Sequence, residues 1–577
     1  MNQPSLMLNM FSLRKNPAGR KCLSLLVILL LAAGAAEAFV GNGDMAQSKH
    51  NLSISGTGKV RANATAGDGA AGEMCVFCHT PHSSASQRAL WNHSESSVAY
   101  KPYASSTLKA VVGQPSGASK LCLSCHDGTV AMGMVKNRSK AIGMQRAVTV
   151  LPRGRSNLGT DLSDDHPISF RYTAALAARS GDILPPPRNG LVHLDANGEM
   201  QCTTCHDPHT DNNGKFLVMN NTGSSLCLAC HNLNGWPQSI HGTSPSRWNG
   251  MLPNPWPHTE EKSVSANACE NCHSPHNAGG GPRLLNYSAD EQNCYPCHNG
   301  NVAAKNIEAE FNKSSVHPIL FSSTAHDPAE TALVSAGARR HVSCDDCHNP
   351  HAADKLGRTT PTSVSGALTG VRGINSSGAI TLQVTYEYEL CLRCHGDTAK
   401  GPSSVRRQFP QINTRLEFQD GNGQNSFHPV MAIGRNPQVP SLKTPWTATS
   451  RMTCGDCHNN DNGPGAGGPG PAGPHGSMYA PLLERSLSFA DSAANTANSA
   501  LCYKCHNFSN STWRDHVRHI GYTSCETCHD AHGSPNAHLM NFDTTVVTGA
   551  RIYKAGAIGH GSCTLSCHGK EHTNAAY

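Results

Sequence analysis

The chain is poor in the materials of which globular cores and charged surfaces are made. Of its 577 residues only 15% are charged and 5% aromatic, and Leu, Ile, Val and Phe together number 98. That is about 17% of the chain, against the roughly 20% below which disorder is expected. Disorder also calls for a high net charge, and 46 basic against 40 acidic residues leave only +6. The shortage therefore points to a core built from something other than side chains. Apart from one N-terminal segment, no apolar run reaches the ~18 residues that cross a bilayer, which excludes an integral membrane transporter. Collagen-like periodicity is missing as well, although 54 Gly and 35 Pro predict a loop-rich chain.

The N-terminal segment reads as an export signal over residues 1–38. Arg14, Lys15, Arg20 and Lys21 precede an apolar run at 23–35, and Ala36-Glu37-Ala38 forms an A-x-A cleavage site. Cys22 lies before the apolar stretch, away from the cleavage point, which argues against a lipid anchor. The expected location is the periplasm, the outer membrane surface or the cell exterior, with no transmembrane segment in the mature chain.

What the chain has in quantity is cysteine and histidine, 25 and 33 residues. The spacing CxxCH occurs at Cys75-Cys78-His79, Cys122-Cys125-His126, Cys202-Cys205-His206, Cys227-Cys230-His231, Cys269-Cys272-His273 and Cys294-Cys297-His298. It continues at Cys344-Cys347-His348, Cys391-Cys394-His395, Cys454-Cys457-His458, Cys502-Cys505-His506 and Cys525-Cys528-His529. A twelfth site, Cys563-Cys567-His568, carries one extra residue between its cysteines. Two thioether bonds to the vinyl groups of one porphyrin and an adjacent proximal imidazole require this order. Zinc ribbons also pair cysteines, but zinc does not require a histidine directly after every pair. Twelve covalently bound haem c groups are the expected cofactors.

The sites alternate in kind. Odd-numbered ones are followed by a second histidine, as in CHTPH, CHDPH, CHSPH, CHNPH and CHDAH, whereas even-numbered ones are mostly introduced by Leu, as in LCLSCHDG, LCLACHN and LCLRCHGD. This predicts six two-haem repeats at 39–145, 146–235, 236–305, 306–400, 401–510 and 511–577, each too small to bury a core alone.

In these motifs the chain resembles the doubled-CxxCH multihaem cytochromes typified by exported electron-transfer proteins of metal-respiring bacteria. The segments SKHNLS, CVFCHTPH, LWNH and LCLSCHDGTV of the first unit carry the resemblance most closely. It implies a haem-cored, mostly irregular fold with short α-helices and little or no β-sheet, and iron held mainly by two histidines. Two recurring classes of histidine supply distal candidates. One is the CHxPH residue: His82, His209, His276, His351 and His532, with His475 displaced by a Gly/Pro insertion in the fifth unit. The other lies upstream of each odd site: His50, His166, His241, His317 and His428, with His258 a rival to His241, and His516 or His519 in the sixth unit. His560 and His572 flank the irregular twelfth site.

The expected function is an electron conduit, with other redox proteins as partners, a porin-cytochrome complex being one by family analogy. A multihaem reductase with one open haem site is the alternative, although no CxxCK occurs. A polymerising filament subunit is the third class. Two propionates per haem reverse the basic charge of the sequence, so nucleic acid is not an expected partner.

Overall fold

The computed structural model describes residues 45–576 except 64–68, 85–87, 189, 280–281, 320–341, 397–404, 420, 422, 509–513 and 558–559. The predicted export signal lies outside the described residues. Within them the expected loop-rich, short-helical architecture is present, and no helix is long and apolar enough to cross a membrane.

The two kinds of site fold differently for local reasons. Odd sites sit on single helical turns: Cys75–Phe77, Cys202–Cys205, Ala268–Asn271, Cys344–Cys347, Cys454–Asp456 and Cys525–Cys528. Turns this short need help at the N-terminus, because their first N–H groups have no helical partner. At three of the six the residue before the first cysteine supplies it through reciprocal capping. The Ser343 N–H donates to Asp346 Oδ2 at 2.8 Å, Thr453 N–H to Asp456 Oδ2 at 2.7 Å, and Gln201 N–H to Thr204 Oγ1 at 3.0 Å. Most even sites occupy longer helices: α1 (Gly117–His126), α2 (Asp290–His298), α3 (Glu387–His395) and α4 (Ala500–Cys505). In α1 the apolar Leu123 is fully buried against Tyr100 and Leu162, which anchors the helix.

Strands are almost all two-residue ladders, such as Phe170–Arg171 against Glu199–Met200. The exception among the described residues is a C-terminal antiparallel sheet of β1 (Val547–Ala555), β2 (Gly561–Cys567) and β3 (Lys570–Ala576), with β2 in the middle. Helix α5 (Arg514–Ile520) precedes it in the chain.

Buried apolar side chains form separate small clusters rather than one core. One gathers Leu52, Val76, Phe77, Met132 and Ile142, and another Phe170, Tyr172, Leu176 and Met200. Beside two further clusters, around Tyr388 and Phe427 and around Phe542 and Val547, runs a continuous cavity of about 3890 Å³, lined from Ile240 to Ala576 by cysteine pairs and histidines. It is several times larger than the 300–1,000 Å³ of an ordinary ligand pocket. The place left empty by the missing apolar side chains is therefore a shared internal space.

Candidate functional site

The cysteines of successive sites lie near one another in chain order. The Cys122 thiol is held up first by its hydrogen bond to Cys202 and then by burial, and the same relation joins Cys227 to Cys269 and Cys294 to Cys344. It recurs between Cys391 and Cys454 and between Cys502 and Cys525. Each of these contacts links an even site to the next odd one. Within each sequence pair it is the second cysteines that lie within electrostatic reach of one another. Burial is the main cause raising the thiols of Cys125, Cys205, Cys297, Cys347, Cys457 and Cys528, with a further rise from Cys78, Cys230, Cys272, Cys394, Cys505 and Cys567 respectively. An alkylated sulfur has no proton to titrate, so what a haem-loaded chain retains of this is the neighbourhood: each attachment site lies near the next in chain order.

Serines three residues before an even site help to set the even-to-odd contacts. Ser119 Oγ accepts the N–H of Cys202 at 3.0 Å, and Ser224 Oγ accepts that of Cys269 at 2.9 Å. These serines carry no ionisable or metal-binding signature, and sequence reasoning passed over them. Their recurrence in SKLC, SSLC and SALC was the available signal.

The histidines pair across this succession of sites. His79 faces His209 with ring centroids 6.0 Å apart, His206 faces His276 at 6.1 Å, and His273 faces His351 at 6.1 Å. His348 faces His475 at 6.1 Å, and His458 faces His532 at 6.3 Å. In all five the CHxPH-type histidine of one repeat stands against the odd-site histidine of the repeat before it. Even-site histidines instead meet the upstream histidine of their own repeat: His126 with His50 at 6.1 Å, His231 with His166 at 6.3 Å and His298 with His241 at 6.2 Å. His395 with His317 at 6.4 Å and His506 with His428 at 6.5 Å complete this class. In the last repeat His529 faces His516 at 6.1 Å, and His519 faces His572 at 6.1 Å.

Residues 193–234 and 520–549 match the doubled CXXCH motif family. Residues 261–427 match the family described as outer membrane cytochrome MtrC/MtrF-like, domains II/IV. The chain is a multihaem c-type cytochrome. No curated protein matches it.

The donor set of this cytochrome fits haem iron. Two imidazoles on one metal, with metal–nitrogen bonds of about 2 Å, place their ring centres roughly 6 Å apart, which is the spacing found. Ligating histidines need the other ring nitrogen fixed by an acceptor, and the acceptors are present. Nδ1 of His206, His273, His348, His458 and His529 donates to the carbonyls of Lys215, Arg283, Ala367, Pro481 and His538 at 2.8–3.0 Å. His50, His241 and His317 donate to Pro208, Pro350 and Pro474, the residues directly before the CHxPH-type histidines of the following repeat. His428 donates in the same way to Ala531. Burial lowers the pKa of most paired rings, His458 and His506 to about 4 among them, which favours the neutral imidazole that metals bind.

A second recurring feature escaped the sequence reading. Ala89, Lys215, Arg283 and His538 have φ of 54–64°, the left-handed region, although none is glycine. Each presents its carbonyl to the Nδ1 of an odd-site histidine, with His79 to Ala89 at 2.5 Å. Such a conformation costs about 1–2 kcal/mol per residue, and here it aims an acceptor. The signal was a bulky apolar residue right after each of them: Leu90, Phe216, Leu284 and Leu539.

The remaining sequence candidates lie apart from these pairs. The Nε2 of His258, the rival to His241, is 2.8 Å from the Glu270 carbonyl. Exposed His82 has no ring against it among the described residues. His568 stands with Nε2 3.2 Å from Asp491 Oδ2 rather than against another imidazole.

Proposed function

We propose that the protein is a dodecahaem electron conduit: twelve bis-histidine haems in chain order, accepting electrons at one end of the file and releasing them at the other. The reading rests on the succession of attachment cysteines, Cys78 near Cys125, Cys122 beside Cys202 and onward to Cys528 near Cys567. Bound haem supplies one-electron chemistry, with a potential set by its axial ligands, their hydrogen bonds and burial.

The chain's own residues would act by position. The proximal histidines, from His79 to His529, with the twelve sites' cysteines, fix each porphyrin. His209, His276, His351, His475 and His532 close the odd sites of the preceding repeat, while His50, His166, His241, His317 and His428 close the even site of their own. Six two-haem units interlocked in this way keep water and small substrates off the iron, which weighs against the reductase reading. An exported, outer-membrane-associated location with redox-protein partners accords with the matched family.

Three measurements test this. The intact mass of the mature protein should correspond to twelve haems and cleavage after Ala38. Electron paramagnetic resonance of the oxidised protein should show low-spin haem alone. A large high-spin fraction, together with turnover of nitrite, hydroxylamine or a sulfur oxyanion, would sink the conduit and favour a reductase.

One observation favours a polymerising form. His82, the CHxPH histidine of the first of the six repeats, is exposed. In a second copy it would take the place of His516 at the eleventh site, standing as CHxPH-type histidines do at the other paired odd sites. Negative-stain microscopy of wild type and His82→Ala would decide: filaments lost in the variant support this form, and monomers in both remove it.

A further inference from the structure

The twelfth attachment site breaks the geometry that the others share. In the regular sites the two cysteines lie on a helical turn, and the histidine N–H returns to the first cysteine's carbonyl, as from His79 to Cys75 at 2.8 Å and from His529 to Cys525 at 3.0 Å. The turn thereby swings the imidazole to the side of the two sulfurs. Cys563 and Cys567 instead lie on strand β2. Side chains on a strand alternate between faces, so residues 563, 565 and 567 share one face and residue 568 does not belong to it. The packing agrees: Cys563, Leu565 and Cys567 all rest against the cluster of Met540, Phe542, Val547 and Tyr553.

His568 has a different task. It and Gly569 link β2 to β3 across the Cys567–Lys570 pair, with φ of 50° and 70°. Positive φ at both central residues marks the two-residue hairpin turn whose twist suits antiparallel strands. The ring then reaches Asp491, with Nε2 at 3.2 Å from Oδ2, so the nitrogen that would meet iron is already engaged.

The sheet offers another imidazole. His572 on β3 is directly opposite Leu565, and opposed residues of an antiparallel pair lie on the same face. It therefore shares the face of Leu565 and Cys567, and Cys563, beyond a shift in register, joins them by packing on the same cluster. Across from it stands His519 of α5, with ring centroids 6.1 Å apart, the spacing of the other imidazole pairs. Both histidines and both cysteines line the same cavity, as does His568, so it is the ring spacing and the strand face that single out His519 and His572.

We propose that His519 and His572 are the axial pair of the twelfth haem, and that His568, though it directly follows the second cysteine, is a turn residue held by Asp491. This rests on the dodecahaem reading above. The extra residue in CTLSCH then follows from the strand: the cysteines are i and i+4 on one face, where a CxxC pair would point to opposite faces.

The test uses the full-length holoprotein with all other haems attached. His568→Asn, which suits the left-handed turn, should leave every haem low-spin. His572→Gly and His519→Ala should each convert one haem in twelve to high-spin, seen by electron paramagnetic resonance and resonance Raman. Added imidazole should return the His572→Gly protein to the low-spin state. One high-spin haem in His568→Asn with none in His572→Gly would overturn the assignment. A wild-type mass of eleven haems would also overturn it while leaving the other eleven sites intact. Several high-spin haems in wild type would instead overturn the dodecahaem bis-histidine reading itself.

Discussion

The two ends of the molecule differ in what the repeat leaves over. At the N-terminal end His82 stands exposed, while its counterparts His209, His276 and His351 face histidines of the repeat before them. At the C-terminal end His529 faces His516 where the other odd-site histidines face a CHxPH-type histidine. Helix α5 supplies His516, and His519 for the last site. A chain of units that lend a side chain backwards always ends with one donor spare and one acceptor unmet. Terminal repeats in other stacked architectures are atypical for a related reason, since a neighbour is missing.

The sharpest way to break this comparison is to delete a histidine at each end. His516→Ala should turn one haem high-spin, whereas His82→Ala should leave the spectrum of the monomer unchanged. Equal effects at both ends would show that the repeats do not interlock in this direction. His351→Ala probes the interior: the affected haem should be the one attached through Cys269 and Cys272, in the preceding repeat, and not the one attached through Cys344 and Cys347. Mapping the perturbed haem by paramagnetic NMR decides between them.

A smaller effect is expected where a carboxylate supports a ring. Buried Asp165 accepts from His276 Nδ1 at 2.9 Å, and buried Glu417 from His532 Nδ1 at 3.1 Å. A carboxylate acceptor makes an imidazole a stronger donor and so favours ferric iron. Asp165→Asn and Glu417→Gln should each raise one haem potential by on the order of 60 mV, a tenfold change in a one-electron equilibrium. A redox titration with no component moved would count against the pairing of His206 with His276 or of His458 with His532.

The smallest effect concerns the strained carbonyls near the two ends. Ala89→Gly should stabilise the protein by about 0.5–1 kcal/mol, because glycine adopts positive φ without steric cost. His538→Gly should gain less, since the His538 ring also hydrogen-bonds the Tyr553 hydroxyl at 2.5 Å. Thermal denaturation of the two variants measures the difference.

The cysteine pairs and both classes of additional histidine stand out in the sequence, one class because it closely follows a pair and the other because it recurs 25–36 residues before one. What stayed hidden was partnership. His79 and His209 are 130 residues apart, and nothing local to either one identifies the other. The supporting groups were hidden for a different reason. Ser119 and the Lys215 carbonyl act through a single hydrogen bond each, a role that any serine or peptide unit can fill.

By itself the sequence determined the chemistry of this cytochrome: covalent attachment through cysteine pairs with an adjoining histidine, two histidine classes and too few apolar side chains for a conventional core. Only the tertiary structure decided which imidazoles meet, that each site lies near the next in chain order, and that the last cysteine pair lies on a strand. The reason is physical. Reactivity belongs to residue types and short spacings, whereas a shared metal position depends on two distant segments being brought to within about 6 Å, roughly twice a metal–nitrogen bond plus the ring radii, and only the folded chain sets that distance.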